Sequence, residues 1–454
     1  MNMSTATIVI VALIALLAVG VKATPLDDYV NKPDSNYKWF DTNVSYTGPG
    51  YRVHILNMTS QQWLTDNDVD RSIWWHYMAI VIPETMKYKD TNTMYITGDY
   101  NTDSVPSPDS EDVLLCVSIA LTSFAPCSVL FQIPNAPIYF KAEQPPTRRV
   151  EDAIIAYTWN HFIENPNEPE WLLRLPMTKA AVRAMDTSEA YLKKNYNMDI
   201  TGHIVAGASK RGWTTWTTAA VDKRVKAMVP IVMDLLQMIP NVHHMYRAYG
   251  GWTFAFKDYY SMNFTQNIDH PNMQLLADVV DPYVYRERYT MPKLVVDSTG
   301  DEFFQLDDNY FWWDNVTQYG ESHLIFIKNA EHSLVTGLVE VVKTISSFVH
   351  DVIANETRPE MTWKFGRNAD NTSAWINLTT SEKPKQVKIR WADTLNHTRR
   401  DWRLVTGENP CPTISVEGGC VQPVLWQGKD ATQIDDTHFC AFHVQHHLQS
   451  NRFM

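Results

Sequence analysis

A chain of 454 residues with 44% hydrophobic, 12% aromatic and only 20% charged residues has the makings of a large buried core, which excludes a minimal module and disorder over most of its length. Its 39 Lys and Arg stand against 51 Asp and Glu, a net charge of −12. Such a balance lacks the positive field that draws proteins onto phosphate backbones, so nucleic acid is not an expected partner.

Residues 1–23 hold an apolar run from Ile8 to Val21 and close on Val21-Lys22-Ala23. The run falls short of the roughly 20 residues that span a bilayer, and the small residues at its end are those a signal peptidase reads. The expectation is a signal peptide, a secreted extracellular product and no transmembrane anchor after cleavage. Sequons at Asn43, Asn57, Asn263, Asn315, Asn355, Asn371, Asn377 and Asn396 then become candidate glycosylation sites. Five cysteines follow: Cys116, Cys127, Cys411, Cys420 and Cys440. An oxidising compartment favours pairing of Cys116 with Cys127 and of two among the late three, leaving one over.

From about Val113 to His350, short β-branched runs alternate with stretches of helical period, the pattern of a parallel sheet with crossover helices. Strands are expected at 128–133, 202–207, 227–233, 293–298 and 323–327, and helices at 151–162, 179–195, 212–222 and 334–353. In the second of these helices Val182, Met185, Ala190 and Leu192 make one apolar face, with Lys193 and Lys194 in its last turn. Residues 235–289 are long, aromatic and helical in texture, and read as an insertion capping the sheet. Beyond about Asn355 short alternating runs at 362–365, 374–378, 386–391, 401–405 and 439–444 suggest a small all-β sandwich. The expected division is a signal peptide at 1–23, an α/β-hydrolase domain at 24–354 and a β-sandwich-like domain at 355–454.

The chemistry concentrates in three places. His203-Ile204-Val205-Ala206-Gly207-Ala208-Ser209 is an apolar strand running into Gly-x-Ser and then a helical segment. That is a nucleophile elbow, which lifts a serine hydroxyl above a sheet on a sharp turn. Arg211 occupies the second position after the serine, where the usual elbow has glycine; Gly212 comes one step later. A serine nucleophile needs a base, and the base an orienting carboxylate, in the order Ser, Asp, His along such chains. Asp301 follows the strand at 293–298, with Glu302, Asp307 and Asp308 as competitors, and His332 lies in the loop after 323–327. The expected catalytic set is Ser209, Asp301 and His332. An oxyanion hole would use the backbone N–H of Lys210 and one from Gln132 or Ile133, since Pro134 has none. His443, His446 and His447 have metal-like spacing but sit at a strand end and tail, so neither a metal nor a cofactor is expected.

Phe131-Gln132-Ile133-Pro134-Asn135-Ala136-Pro137, the run Glu151 to Trp159, Arg174-Leu175-Pro176-Met177-Thr178-Lys179, Gly207 to Trp213, Thr299 to Phe304, Asn329 to Leu334 and Arg399 to Arg403 resemble segments of the PhoPQ-activated pathogenicity-related protein family. The resemblance implies an α/β-hydrolase fold with an elbow serine, and in it the Arg211 departure belongs to the family's own pattern. It also implies association with virulence regulation in bacteria and with secreted growth control in eukaryotes. Two readings follow. One is a secreted glycoprotein hydrolysing an ester or peptide bond of a small-molecule or peptide substrate. The other is a secreted signalling protein that binds a cell-surface receptor with the triad idle. A third, weaker reading is a carbohydrate-binding surface on the Trp-rich C-terminal region.

Overall fold

The computed structural model describes residues 23–369, 373–395, 398–407, 411, 415–416 and 419–444. Residues 1–22 of the expected signal peptide, Asn371, Asn396, His446 and His447 lie outside the described residues, as does the side chain of His443.

After a short helix α1 (Pro25–Asn31), the chain lays down three long strands, β1 (Lys38–Gly48), β2 (Tyr51–Gln62) and β3 (Ile73–Pro83), and then β4 (Thr91–Ile96). There follow α2 (Glu111–Ser123), β5 (Cys127–Leu130), α3 (Glu151–Glu164), α4 (Arg174–Tyr196), β6 (Gly202–Ala208), α5 (Lys210–Val221) and β7 (Val225–Ile231). Helices α6 (Met238–Tyr249), α7 (Lys257–Ser261) and α8 (Pro271–Val280) separate β7 from β8 (Lys293–Ser298); α9 (Trp313–Thr317) precedes β9 (Ser322–Ile327), and α10 (Leu338–Ile353) follows it. The nine strands form one sheet in the order β1-β2-β3-β5-β4-β6-β7-β8-β9. It is antiparallel from β1 to β5 and parallel from β5 to β9, which is the α/β-hydrolase architecture.

Side-chain alternation splits the core in two. Ile204 and Ala206 of β6 join the layer under α2 and α10, while Val205 joins the layer under α4 and α5. Because helices cover both faces, β6 is apolar along nearly its whole length. This is why it is legible as an apolar run in the sequence. Helix α4 begins at Arg174, five residues before the expected 179. Pro176 lies in its first turn, where a missing N–H costs nothing.

The described residues after 355 form three small antiparallel sheets, with β10 (Met361–Arg367), β11 (Ser373–Thr380), β12 (Lys388–Trp391), β13 (Val405–Thr406), β14 (Ser415–Val416), β15 (Gly419–Val421), β16 (Gln427–Asp430), β17 (Thr432–Gln433) and β18 (His438–Val444). The strand expected at 401–405 survives only as β13. Its backbone is used elsewhere: Arg400 N–H donates to Ala248 of α6 at 3.1 Å and Leu404 N–H to Gly300 at 2.9 Å. Two disulfides close, Cys116–Cys127 and Cys411–Cys420, and Cys440 carries a free thiol. Among the described residues no helix is long and apolar enough to cross a membrane.

Candidate functional site

Ser209 sits between β6 and α5 with φ 55° and ψ −122°, a conformation that L-residues adopt only under constraint. The constraint is visible. Its N–H donates to Ile231 of the neighbouring strand at 2.8 Å. A Cβ on Gly207 would lie 2.8 Å from the Arg211 carbonyl oxygen, and one on Gly212 2.9 Å from the Ile231 carbonyl and 2.8 Å from Met233 Cβ. Strand and helix therefore close on two glycines, and the second of them is at the third position after the serine.

His332 Nε2 lies 2.8 Å from Ser209 Oγ, and His332 Nδ1 lies 2.9 and 2.8 Å from the two carboxylate oxygens of Asp301. A carboxylate only accepts, so Nδ1 carries the proton and Nε2 is left to accept the serine hydroxyl. Asp301 is in turn fixed by the N–H groups of Phe303 and Phe304, which donate to Oδ1 at 2.7 and 3.0 Å. The rings of Phe303 and Phe304 flank the imidazole at 4.5 and 5.7 Å between centroids. The structure thus brings the three sequence-chosen residues into one hydrogen-bonded chain.

The competing acids are engaged otherwise. Burial works against ionisation of Asp307, but His244 at 3.2 Å and Arg400 at 2.7 Å hold its carboxyl below the usual range. Asp308 accepts the Gln305 N–H at 2.8 Å and is pushed well up by burial and by Asp234. Glu302 accepts the His332 N–H at 2.9 Å; burial and the neighbouring Asp301 raise its pKa to about 7.

The oxyanion hole requires a correction. Gln132 N–H donates to the Gly98 carbonyl and Ile133 N–H to that of Thr97 at 3.1 Å, so neither amide is free. The reason is that the chain turns after β5, with Gln132 at φ 62°, and folds these two amides back onto the carbonyls that follow β4. Lys210 N–H opens α5, where helix amides lack an intrahelical acceptor. The Lys210 ammonium is held by Glu151 at 3.1 Å and Asp152 at 3.0 Å. Arg211 supplies what the sequence concealed: its Nε–H donates to the Ile133 carbonyl and its Nη2 pairs with Glu151 at 2.6 Å, tying the loop after β5 to the elbow.

Two further contributions escaped the sequence. Beside Ser209 lies a cavity lined by Trp159, Trp213, Phe256, Tyr259 and Phe303, with Asp152, Arg174 and Lys210 as its charged members. Phe256 and Tyr259 come from the 235–289 insertion, which therefore forms part of the wall. The C-terminal region reaches both loops of the site. Leu404 N–H donates to Gly300, next to Asp301, and Asn329, three residues before His332, exchanges hydrogen bonds with the Trp426 backbone at 2.7 and 3.3 Å.

Of the described sequons, Asn43, Asn263, Asn315, Asn355 and Asn377 are exposed, whereas Asn57 is half-buried within β2.

Residues 26–403 match the family described as PhoPQ-activated pathogenicity-related protein. The chain is 41% identical over 429 residues to autocrine proliferation repressor protein A of Dictyostelium discoideum, covering 93% of this chain and 83% of that protein. Among solved structures it is similar to acetyl xylan esterase 1 from Thermoanaerobacterium sp. JW/SL YS485, at 11% identity over 72% of this chain and 93% of that one with a TM-score of 0.47. It is also similar to the acetyl xylan esterase from Paenibacillus sp. R4, at 12% identity over 71% of this chain and 92% of that one, again with a TM-score of 0.47. The family match and the curated relative both run through the elbow, the acid turn and the histidine loop, and the chain belongs to the PhoPQ-activated pathogenicity-related protein family.

Proposed function

We propose that the protein is a secreted serine hydrolase of esterase or peptidase type. The observation that carries this reading is the 2.8 Å contact between Ser209 Oγ and His332 Nε2, with Nδ1 of the same ring on Asp301 and the serine on a strained turn. In the reaction Ser209 Oγ bonds to the substrate carbonyl carbon while its proton passes to His332 Nε2. Lys210 N–H faces the oxyanion that develops. The imidazolium, stabilised by Asp301, hands that proton to the departing oxygen or nitrogen as the acyl bond breaks. Water then attacks the acyl-enzyme, its proton returning through His332 to Oγ, and the acid leaves. Export is supported by the apolar run from Ile8 to Val21 with small residues after it, two disulfides and the exposed sequons.

The test is a fluorophosphonate probe on the purified protein. Labelling is expected at Ser209 alone and should vanish in Ser209→Ala and His332→Ala, because losing the nucleophile or base of such a set costs about six orders of magnitude in turnover. Labelling at another serine, or none in a folded sample, refutes the reading.

A second reading is favoured by the 41% identity to a relative named as an autocrine proliferation repressor. The protein then restrains proliferation as a secreted signal through a cell-surface receptor. Ser209→Ala separates the two: loss of the cellular response ties signalling to hydrolysis, and a full response makes the chemistry incidental.

A further inference from the structure

Arg174 opens α4 and is only 2% exposed, yet among the described residues no carboxylate makes an ion pair with it. Its neighbours account for their own charges. Lys210 is held by Glu151 and Asp152, and Arg211 by Glu151. Tyr259, which burial keeps neutral, donates its hydroxyl to Asp152 at 2.9 Å. Although burial opposes it, the cations hold both carboxyls below their usual range, so each stays ionised. Three cations against two carboxylates leave one positive charge over, and Arg174 is the cation without a partner.

The guanidinium is nonetheless fixed. Nη1 donates to the Lys210 carbonyl at 2.9 Å, and the group lies over the Trp213 ring at 4.2 Å. Nε has no hydrogen-bond partner. The uncommitted edge is thus the Nε and Nη2 side, the fork that matches a carboxylate with two parallel hydrogen bonds. Burying a charge without an ion-paired carboxylate is costly, and the Lys210 carbonyl, the Trp213 ring and the more distant Asp152 and Glu151 offset only part of it. A cation held ready in an aromatic chamber beside a nucleophile is the expected arrangement when the counterion arrives with the ligand.

We propose that the chamber beside Ser209 selects substrates carrying a carboxylate at the end of a short apolar arm, with Arg174 as the specificity-determining residue. The turnover part of this inference rests on the hydrolase reading; the binding part does not.

The experiment compares p-nitrophenyl hydrogen glutarate with p-nitrophenyl pentanoate, acyl groups of one length that differ in a terminal carboxylate against a methyl. The expected result is a kcat/KM ratio of about tenfold or more in favour of the glutarate, collapsing toward one or below in Arg174→Gln. The ratio is the readout, because an arginine serving only the oxyanion or the fold would lower both rates together. In parallel, monomethyl glutarate should raise the melting temperature of Ser209→Ala above that in sodium chloride of equal ionic strength, methyl pentanoate should not, and the rise should be absent in Ser209→Ala/Arg174→Gln. Probe labelling at Ser209 without a glutarate preference, or with one that survives Arg174→Gln, overturns the inference and leaves the hydrolase reading standing. Absent labelling with an Arg174-dependent rise does the reverse. If Arg174→Gln is not recovered folded, the wild-type ratio decides: a value of one or below overturns the proposal.

Discussion

Replacing Arg211 by glycine would restore the common G-x-S-x-G spacing, and the motif alone expects it to be harmless. The structure expects damage. The side chain fills the space over Gly98, where an added Cβ would lie 2.6 Å from Nη2, caps the Ile133 carbonyl and pairs with Glu151 at 2.6 Å. Arg211 and Glu151 side chains are 13% and 26% exposed, so the pair is largely shielded. Removing one partner of a buried pair costs about 3–5 kcal/mol, and Glu151 retains Lys210 at 3.1 Å, which trims that to about 2 kcal/mol. The orphaned Ile133 carbonyl adds about 1 kcal/mol or more, and glycine in a helical turn up to about 1.

Arg211→Gly should therefore lose about 4 kcal/mol in denaturant unfolding. It should also slow fluorophosphonate labelling of Ser209 by about 10 to 100-fold, because the loop after β5 is no longer tied to the elbow. Arg211→Lys should fall between, since one ammonium cannot serve both the carbonyl and the carboxylate. An Arg211→Gly protein within about 0.5 kcal/mol and twofold of wild type in both assays would refute the account of the displaced glycine.

Glu302 has a folded pKa of about 7, above its unfolded value, so the native state binds more protons between the two. Its stabilising contribution is present in mild acid and is lost as pH rises through about 7; Glu302→Gln should flatten that decline and be more stable at pH 8 by up to about 3 kcal/mol in urea unfolding. Asn329→Ala removes both bonds to Trp426 and a side chain suited to φ 55°, and should slow probe labelling by about tenfold with a stability loss of about 2 kcal/mol; an unchanged labelling rate would deny the C-terminal region any part in holding His332. Replacing Cys116 and Cys127 together by alanine opens a loop with a separation of 11 residues and should cost about 3 kcal/mol by calorimetry. Peptide mapping after enzymatic deglycosylation should find glycans among the exposed Asn43, Asn263, Asn315, Asn355 and Asn377 but not at Asn57, half-buried in a paired strand.

The parallel half of the sheet is legible in the sequence because strands covered on both faces carry short apolar runs, Ile204-Val205-Ala206 in β6 and Leu294-Val295-Val296 in β8. The candidate nucleophile, acid and base then follow from chain order, each at the end of such a strand. Strands β1 to β4 are less legible, and the reason is chemical. Their buried positions include polar residues satisfied by distant partners: His76 is fully buried, with Nε2 on Ser60 Oγ at 2.9 Å and Nδ1 on the Phe131 carbonyl at 3.1 Å. A polar residue inside breaks the binary pattern by which a strand is recognised. The oxyanion expectation failed because whether an amide is free depends on the turn that follows the strand, and here that turn spends the Gln132 and Ile133 N–H groups on Gly98 and Thr97.

The C-terminal brace was harder still, because most of it is written in backbone. Leu404 reaches the acid turn through its N–H, and a Cβ on Gly300 would lie 2.7 Å from Leu404 Cβ, so the approach depends on a glycine. Trp426 contributes its N–H and carbonyl to Asn329, and its ring packs on Trp402 at 5.5 Å. The loops bearing Asp301 and His332 also cross-link to each other, with Gly300 N–H on Ala330 and Asn329 N–H on Thr299 Oγ1, both at 2.9 Å. A shift of the C-terminal region would pull on both loops together. The acid and the base are therefore positioned as one unit, and mutations at 404 and 426 should perturb them jointly, in the same direction as Asn329→Ala.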